Sequence, residues 1–376
     1  MKSSNRSKIF NRNKERPLRA LQVEVTSRCT RSCSICPQFC LAQSWRGGDL
    51  DSSVWNMIEP DLHLAEHVHL QGWGEPLLNP LLPIWAKKAR EAGCSVGITT
   101  NGDLLEEAKS WLLEGNVTLI TISTAGTYRT HEQLRDGSKL YRVLSSVANL
   151  AADSHKKGLK TRFQLSYLLT KSNASELPKV VEHAAKAGLD EVYVTHLDCM
   201  TSETHSDHAA YDCDMISSEI LNDIEIARKV ARREGIVFRS PSQRAEEVIS
   251  CALNPLNFVF ISWDGKVGPC VNLLLPVEGP IPRWTYNGTT SVEPVVYGTL
   301  KESPLSDLLN SQKRLMFVEP FKRRLQAEER FISACNVEPS IRALREIDRA
   351  DEQRTETLNS NPFPSACSAC PKTHGW

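Results

Sequence analysis

Cys29, Cys33 and Cys36 stand in the run Val23-Glu-Val-Thr-Ser-Arg-Cys-Thr-Arg-Ser-Cys-Ser-Ile-Cys-Pro37, directly behind an alternating apolar segment. Three thiolates at this spacing can hold three irons of a cubane iron–sulfur cluster. The fourth iron then lacks a protein ligand, so a small molecule can bind there and accept an electron. A structural zinc ion is the competing reading, but it wants four nearby ligands, and the fourth candidate, Cys40, has no histidine beside it. A third reading, thiols as buried apolar fillers, fits poorly with the polar and basic residues between them.

Other residues that could do chemistry follow further β-rich runs. Gln71-Gly72-Trp73-Gly74-Glu75-Pro76 combines glycines, which let backbone approach a ligand closely, with a turn that can present carbonyls and a carboxylate to an ammonium group. Thr99-Thr100-Asn101-Gly102 is a turn sequence, and Ser123 ends another run. Arg135 lies in His131-Glu-Gln-Leu-Arg-Asp-Gly137, and His196 in Thr195-His-Leu-Asp198. Each has a plainer local reading: a Gly-Pro turn, a solvated charge at a helix end for Arg135, a hydrogen-bonded structural histidine for His196. The stretch 198–214 holds His205, His208, Cys213 and Asp214 without metal-ligand spacing and reads as a polar loop over the site.

With Ile35 before the last cysteine and Gly74-Glu75 downstream, the chain resembles the radical S-adenosylmethionine (SAM) enzymes. The resemblance implies that the amino and carboxylate groups of SAM chelate the open iron of a [4Fe-4S] cluster held by Cys29, Cys33 and Cys36. Reduction then cleaves the sulfonium, and a 5′-deoxyadenosyl radical abstracts hydrogen from a substrate. It also implies roles for single residues. Gly74 and Glu75 receive the SAM amino group, Asn101 lies close to SAM, and Ser123 meets the ribose or carboxylate. Arg135 grips the carboxylate with its planar fork, and His196 meets adenine or substrate. An electron donor such as a ferredoxin or flavodoxin is expected as a partner.

The elements that must position these residues form an α/β pattern. Short β-rich runs at 21–25, 67–71, 94–99, 117–123, 162–169 and 191–196 alternate with helical stretches near 52–58, 81–92, 104–114, 140–156 and 175–187. Every crossover is long enough for a right-handed βαβ unit, so six parallel strands can curl into a partial barrel. The resemblance implies this fold, a partial (β/α)6 barrel, with ligands at the C-terminal strand ends. We expect a core over 20–240, preceded by a basic, disordered tail over 1–19, where seven Lys or Arg face the single acid Glu15.

A second cysteine set follows over 241–376. Cys251 precedes an apolar run, Asp264-Gly265 signals a hairpin that leads to Cys270, and Cys367-Ser-Ala-Cys370 lies near the end. Together they could close a four-thiolate site. A second four-iron cluster and a structural zinc both fit that set. The pattern, with Tyr297-Gly-Thr-Leu300, resembles the SPASM extension and its shorter twitch version, which implies one auxiliary [4Fe-4S] cluster on Cys251, Cys270, Cys367 and Cys370. Cys335, in a charged helical insert over 321–360, could replace one ligand, whereas Cys40, Cys94, Cys199 and Cys213 lack metal spacing.

The 376 residues carry no formal net charge, which argues against nucleic acid or an anionic membrane as partner. No apolar run approaches the roughly 18 residues of a membrane span, and no signal-peptide core is evident, so a cytoplasmic protein is expected. The twelve cysteines then point to metal or redox work. The resemblance implies an enzyme that modifies a peptide or protein. Maturation of a tungstopterin-type or other cofactor is the alternative, because Gln71-Gly-Trp-Gly-Glu-Pro76 and Ser123-Thr-Ala-Gly126 are similar to maturases of the tungsten-dependent aldehyde oxidoreductase cofactor. Val271, where sulfatase-maturating relatives carry an acidic residue, argues against that particular oxidation. From another class, a non-catalytic metal-stabilised scaffold would use the same cysteines structurally.

Overall fold

The computed structural model describes residues 16–212, 215–285, 288–338 and 340–375; most of the basic tail, Cys213 and Asp214 lie outside the described residues. Six strands, β1 (Leu18–Val23), β2 (Ala65–Leu70), β3 (Ser95–Thr100), β4 (Leu119–Thr124), β5 (Arg162–Leu169) and β6 (Glu191–His196), pair in parallel and in chain order. Helices Ser52–Ile58, Leu82–Glu91, Leu105–Leu112, Leu140–Lys156 and Leu177–Lys186 lie in the crossovers. Two very short strands, β7 (Tyr211–Asp212) and β8 (Met215–Ile216), pair apart from the sheet. The helix Ser218–Glu234 then leads through left-handed Gly235 into β9 (Val237–Arg239), which joins β6 in parallel.

Strand alternation sorts the two faces. Val68, Leu70, Val96, Ile98, Ile120, Ile122, Leu165, Val192 and Val194 pack in one core with the crossover helices. Each such burial stabilises by roughly 1.5–3 kcal/mol, so this helix-covered face dominates stability. The inner face of the partial barrel is free to be polar, and it is. Gln22 donates to the Gln71 carbonyl at 3.1 Å, His69 Nε2 lies 2.9 Å from Thr99 Oγ1, and Thr121 donates to Gln164 at 3.0 Å.

The extension continues the same sheet. β10 (Phe258–Ile261) pairs in parallel with β1, β11 (Lys266–Gly268) folds back antiparallel on β10, and β14 (Gly298–Thr299) adds beyond β11. The expected hairpin forms at Asp264-Gly265, where Gly265 takes φ +89° and Ser262 donates to Asp264 Oδ1 at 2.5 Å. A separate hairpin, β12 (Ile281–Thr285) and β13 (Gly288–Val292), stands beside it. The expected helical insert consists of two helices, Gln312–Cys335 and Ile341–Ser360. The first begins ahead of 321 because Ser311 caps it and Pro320 is accommodated inside. Among the described residues no helix is long and apolar enough to cross a membrane.

Candidate active site and second cysteine site

β1 ends earlier than the sequence reading has it. Glu24 N donates to Ile261 O at 2.8 Å, Thr26 forms an isolated bridge with Asp49, and the chain then turns into the cysteine loop. The loop is folded over by 44–50: Ser27 Oγ donates to Arg46 O at 2.8 Å, and Trp45 Nε1 to Ser27 O at 3.1 Å. Ile35 is buried with Ala125 and Leu134, which seats the last turn of the loop over the ends of the middle strands.

The Gly-Trp-Gly-Glu turn lies directly against this loop. Glu75 N donates to Arg28 O at 2.8 Å, and a Cβ on Gly74 would stand 2.3 Å from Arg28 O and 2.5 Å from Thr26 O. Only glycine allows that approach. Glu75 is 2% exposed, and its carboxylate accepts from Thr100 Oγ1 at 2.7 Å, Asn101 N at 2.7 Å and Leu77 N at 3.1 Å. Burial raises its pKa against those donors. The carboxylate therefore knits the β2 turn to the β3 turn. Asn101 carries the link onward: Nδ2 donates to Thr30 Oγ1 at 3.0 Å and lies 3.8 Å from Cys29 Sγ.

Arg135 follows the helix Tyr128–Leu134, and its Nε is buried without a protein acceptor. Its charge acts on Cys29, Cys36 and Glu75, so it faces the cysteine loop. The neighbouring His131 is fully buried against Ser138 and driven down to about 3 by burial and then by Arg135, so it stays neutral. Burial pushes Cys36 up to about 12, with Cys33 and Cys29 adding to it. Three neighbouring thiols beside an arginine whose Nε lacks a protein acceptor suit a cluster with an open iron and an anionic ligand on it.

Thus the fold brings together Cys29, Cys33, Cys36, Gly74, Glu75, Asn101 and Arg135. Ser123, half-buried in register with Ser166, belongs to the polar inner face. His196 is placed elsewhere. It shares strand parity with the core residues Val192 and Val194, its ring stands edge-on to Tyr211 at 5.1 Å, and burial lowers it to about 4. Alternation directs Thr195, rather than His196, toward the inner face.

At the second site Cys251, Cys270, Cys367 and Cys370 border one cavity with apolar walls that include Leu253, Phe317 and Phe321. The C-terminal turn is held by Thr373, whose hydroxyl donates to the carbonyls of Cys367 at 3.0 Å and Cys370 at 2.8 Å. Burial pushes Cys270 up to about 12 and Cys370 to about 11, and it also raises Cys367, with Cys270 and Cys370 adding to the rise. Among the described residues no three His, Cys, Asp or Glu side chains close around a single ion. The four thiols border one shared space, a donor set that fits a four-iron group or a structural zinc. Cys335 is exposed at the end of its helix and does not border that cavity.

Sequence reasoning missed the residues that join the two sites. Glu24 is fully buried, accepts from Trp73 N at 2.9 Å and Trp263 N at 3.3 Å, and is pushed up to about 8 by burial. Trp73 Nε1 reaches the Val271 carbonyl at 3.2 Å. Its placement between two glycines was the available signal, since a large aromatic there must pack somewhere specific.

The sequence profile of the SPASM iron–sulfur cluster-binding domain matches residues 251–337. The chain is 24% identical over 368 residues to the tungsten-containing aldehyde ferredoxin oxidoreductase cofactor-modifying protein of Pyrococcus furiosus, covering 94% of each. It is 25% identical over 273 residues to a probable GTP 3',8-cyclase of Metallosphaera sedula, covering 68% of this chain and 81% of that one. Among solved structures, Streptococcus suis SuiB bound to S-adenosylmethionine shares the fold with a TM-score of 0.59 at 14% identity, over 80% of this chain and 68% of SuiB. The structure of anSMEcpe with bound AdoMet does so with a TM-score of 0.57 at 17% identity, over 96% and 100%. With the three-cysteine loop at the mouth of the partial barrel and the SPASM profile match beside it, the chain is similar over its length to radical SAM enzymes that carry a C-terminal SPASM-type iron–sulfur domain.

Proposed function

We propose that this enzyme modifies a cofactor precursor, a polar organic molecule of the tungstopterin class, held against the inner face of the barrel. The carrying observation is the whole-chain likeness to a cofactor-modifying protein, core and extension together. The sequence reading places peptides first on the strength of the extension alone. Two further relatives, a probable GTP 3',8-cyclase and an AdoMet-dependent heme synthase, are named for small molecules and not for peptides, which supports reversing that order. The polar inner face, with Gln22, His69, Thr121 and Gln164, suits a heteroatom-rich ring system.

In this reading Cys29, Cys33 and Cys36 hold the reducible cluster. Glu75 fixes the turn whose backbone, at Gly74, meets the SAM amino group; Arg135 takes the carboxylate with its unpaired Nε; and Asn101 and Ser123 border the nucleoside. Bound cluster and SAM supply a 5′-deoxyadenosyl radical for hydrogen abstraction. Cys251, Cys270, Cys367 and Cys370 hold one auxiliary cluster, and a ferredoxin or flavodoxin supplies electrons.

The test is anaerobic reconstitution, metal and sulfide analysis, and 5′-deoxyadenosine release under dithionite. A pterin-type precursor should raise release above the substrate-free background. A peptide that does so where the pterin does not would favour peptide modification, a reading supported by the fold shared with SuiB, whose structure bound to its precursor peptide SuiA superposes with a TM-score of 0.55. Zinc without SAM cleavage would leave only a scaffold.

A further inference from the structure

The second site is bordered by charges that its four cysteines do not need for holding metal. Arg283, on β12 and only 5% exposed, donates from Nη1 to Cys199 Sγ at 3.1 Å and from Nη2 to the Asn272 carbonyl. Lys372, two residues after Cys370, pairs with Asp198 at 2.8 Å, and Asp198 follows the end of β6. Arg283, Lys372 and Asp198 all border the cavity shared by the four thiols, so two cations and one carboxylate are set into an otherwise largely apolar wall.

Charges in so poorly solvated a setting act strongly on one another. Reduction of an iron–sulfur group adds negative charge, and nearby cations favour the reduced state, so net charge and second-layer hydrogen bonds set the potential. We propose that Arg283 and Lys372, opposed by Asp198, hold the second-site cluster at a more positive reduction potential than its thiolates and apolar walls alone would give, making it a ready electron acceptor. This rests on reading that site as a four-iron cluster. The alternative is that these charges only tie the C-terminal turn and β12 to the barrel.

The two accounts differ in sign. Full-length protein is reconstituted anaerobically and titrated with redox mediators while the second-site signal is followed by electron paramagnetic resonance, the first-site signal being identified by its shift on adding SAM. Arg283→Gln and Lys372→Met should each move the second-site midpoint to more negative potential. Asp198→Asn should move it the other way, and Arg283→Lys should stay near the parent. Iron-replete variants with unchanged midpoints, or with shifts all of one sign, overturn the proposal. A variant that sheds about four irons shows a residue that holds the site together, and the proposal fails for that residue. Wild-type protein with about four irons and one zinc removes the cluster reading, and this proposal with it, before any potential is measured.

Discussion

The indole N–H of Trp73 donates to the carbonyl of Val271 at 3.2 Å, so the residue between the two motif glycines is tied to the residue that follows Cys270. One hydrogen bond thus connects the turn that backs the first cysteine loop to the loop that carries a second-site thiol. Trp45 packs edge-on against Trp73 at 6.4 Å and seals the same seam. Trp73→Phe keeps most of the ring and removes the donor, leaving the Val271 carbonyl with only the longer bond from Leu274 N at 3.4 Å. It should cost about 0.5–1.5 kcal/mol in anaerobic denaturant unfolding with the iron content unchanged. An unfolding curve identical to the parent would show that the bond does not matter.

Gly74→Ala tests the contact between the Gly-Glu turn and the cysteine loop. The added methyl meets backbone oxygens of Thr26 and Arg28 rather than a movable side chain, so the turn itself must shift. The variant should keep its first-site iron and lose SAM binding at least about tenfold, since a displacement of roughly 1 Å in a positioned site costs orders of magnitude. Equilibrium binding by anaerobic filtration reads the outcome, and parent-like affinity would separate Gly74 from the SAM site.

Arg135→Gln removes a cation that faces the loop with a buried Nε lacking a protein acceptor; Arg31 Nε is also unpartnered, but that guanidinium pairs with Asp103. A charged hydrogen bond of this kind contributes about 1.5–3 kcal/mol, so SAM affinity should fall roughly ten- to a hundredfold. Arg135→Lys should recover only part, because an ammonium cannot reproduce the two-pronged grip on a carboxylate. If both variants bind SAM like the parent, Arg135 is a structural cation.

Replacing Cys367 and Cys370 by Ala should remove about four of about eight irons and spare 5′-deoxyadenosine release under dithionite, because the two sites are built from separate segments. Loss of SAM cleavage with the first-site signal intact would contradict that separation of roles.

Local pattern made much of this fold legible. β5 and β6 fall at 162–169 and 191–196, as read, because most of their residues alternate between apolar and polar and turns bound them. The Asp264-Gly265 hairpin and the two cysteine sets were visible for the same reason, as short-range spacing. β1 was read too late because Glu24 and Val25 continue the alternation past Val23, the last residue in register with β2 and β10. The parallel pairing of β10 with β1 joins segments more than two hundred residues apart and leaves no local mark. Arg283, Lys372 and Asp198 were invisible as a group for that reason: only packing places an arginine from a hairpin and a lysine from the last turn beside the end of β6. At His196 the chemistry of the residue type attracted a role that strand parity assigns to the other face.

Glu24 gives the seam between core and extension a pH dependence with a definite sign. Its carboxyl is held at about 8 by burial, with Asp264 adding to the rise, although the Trp73 and Trp263 amides pull the other way. In an unfolded chain the group titrates near the ordinary carboxylate value. Between about pH 4.5 and 8 the folded protein therefore binds a proton that the unfolded chain has released, and folding stability falls as pH rises through that window. Below it the contribution is fully present; above about 8 it is lost. Glu24→Gln mimics the protonated form, cannot ionise, and should flatten the slope of unfolding free energy across pH 5–8 while leaving the variant at least as stable as the parent at pH 8. Urea unfolding of the iron-replete protein under anaerobic conditions, repeated across that range, measures it. Parallel pH profiles for parent and variant would mean that Glu24 is ionised in the fold, with Trp73 and Trp263 donating to a full carboxylate.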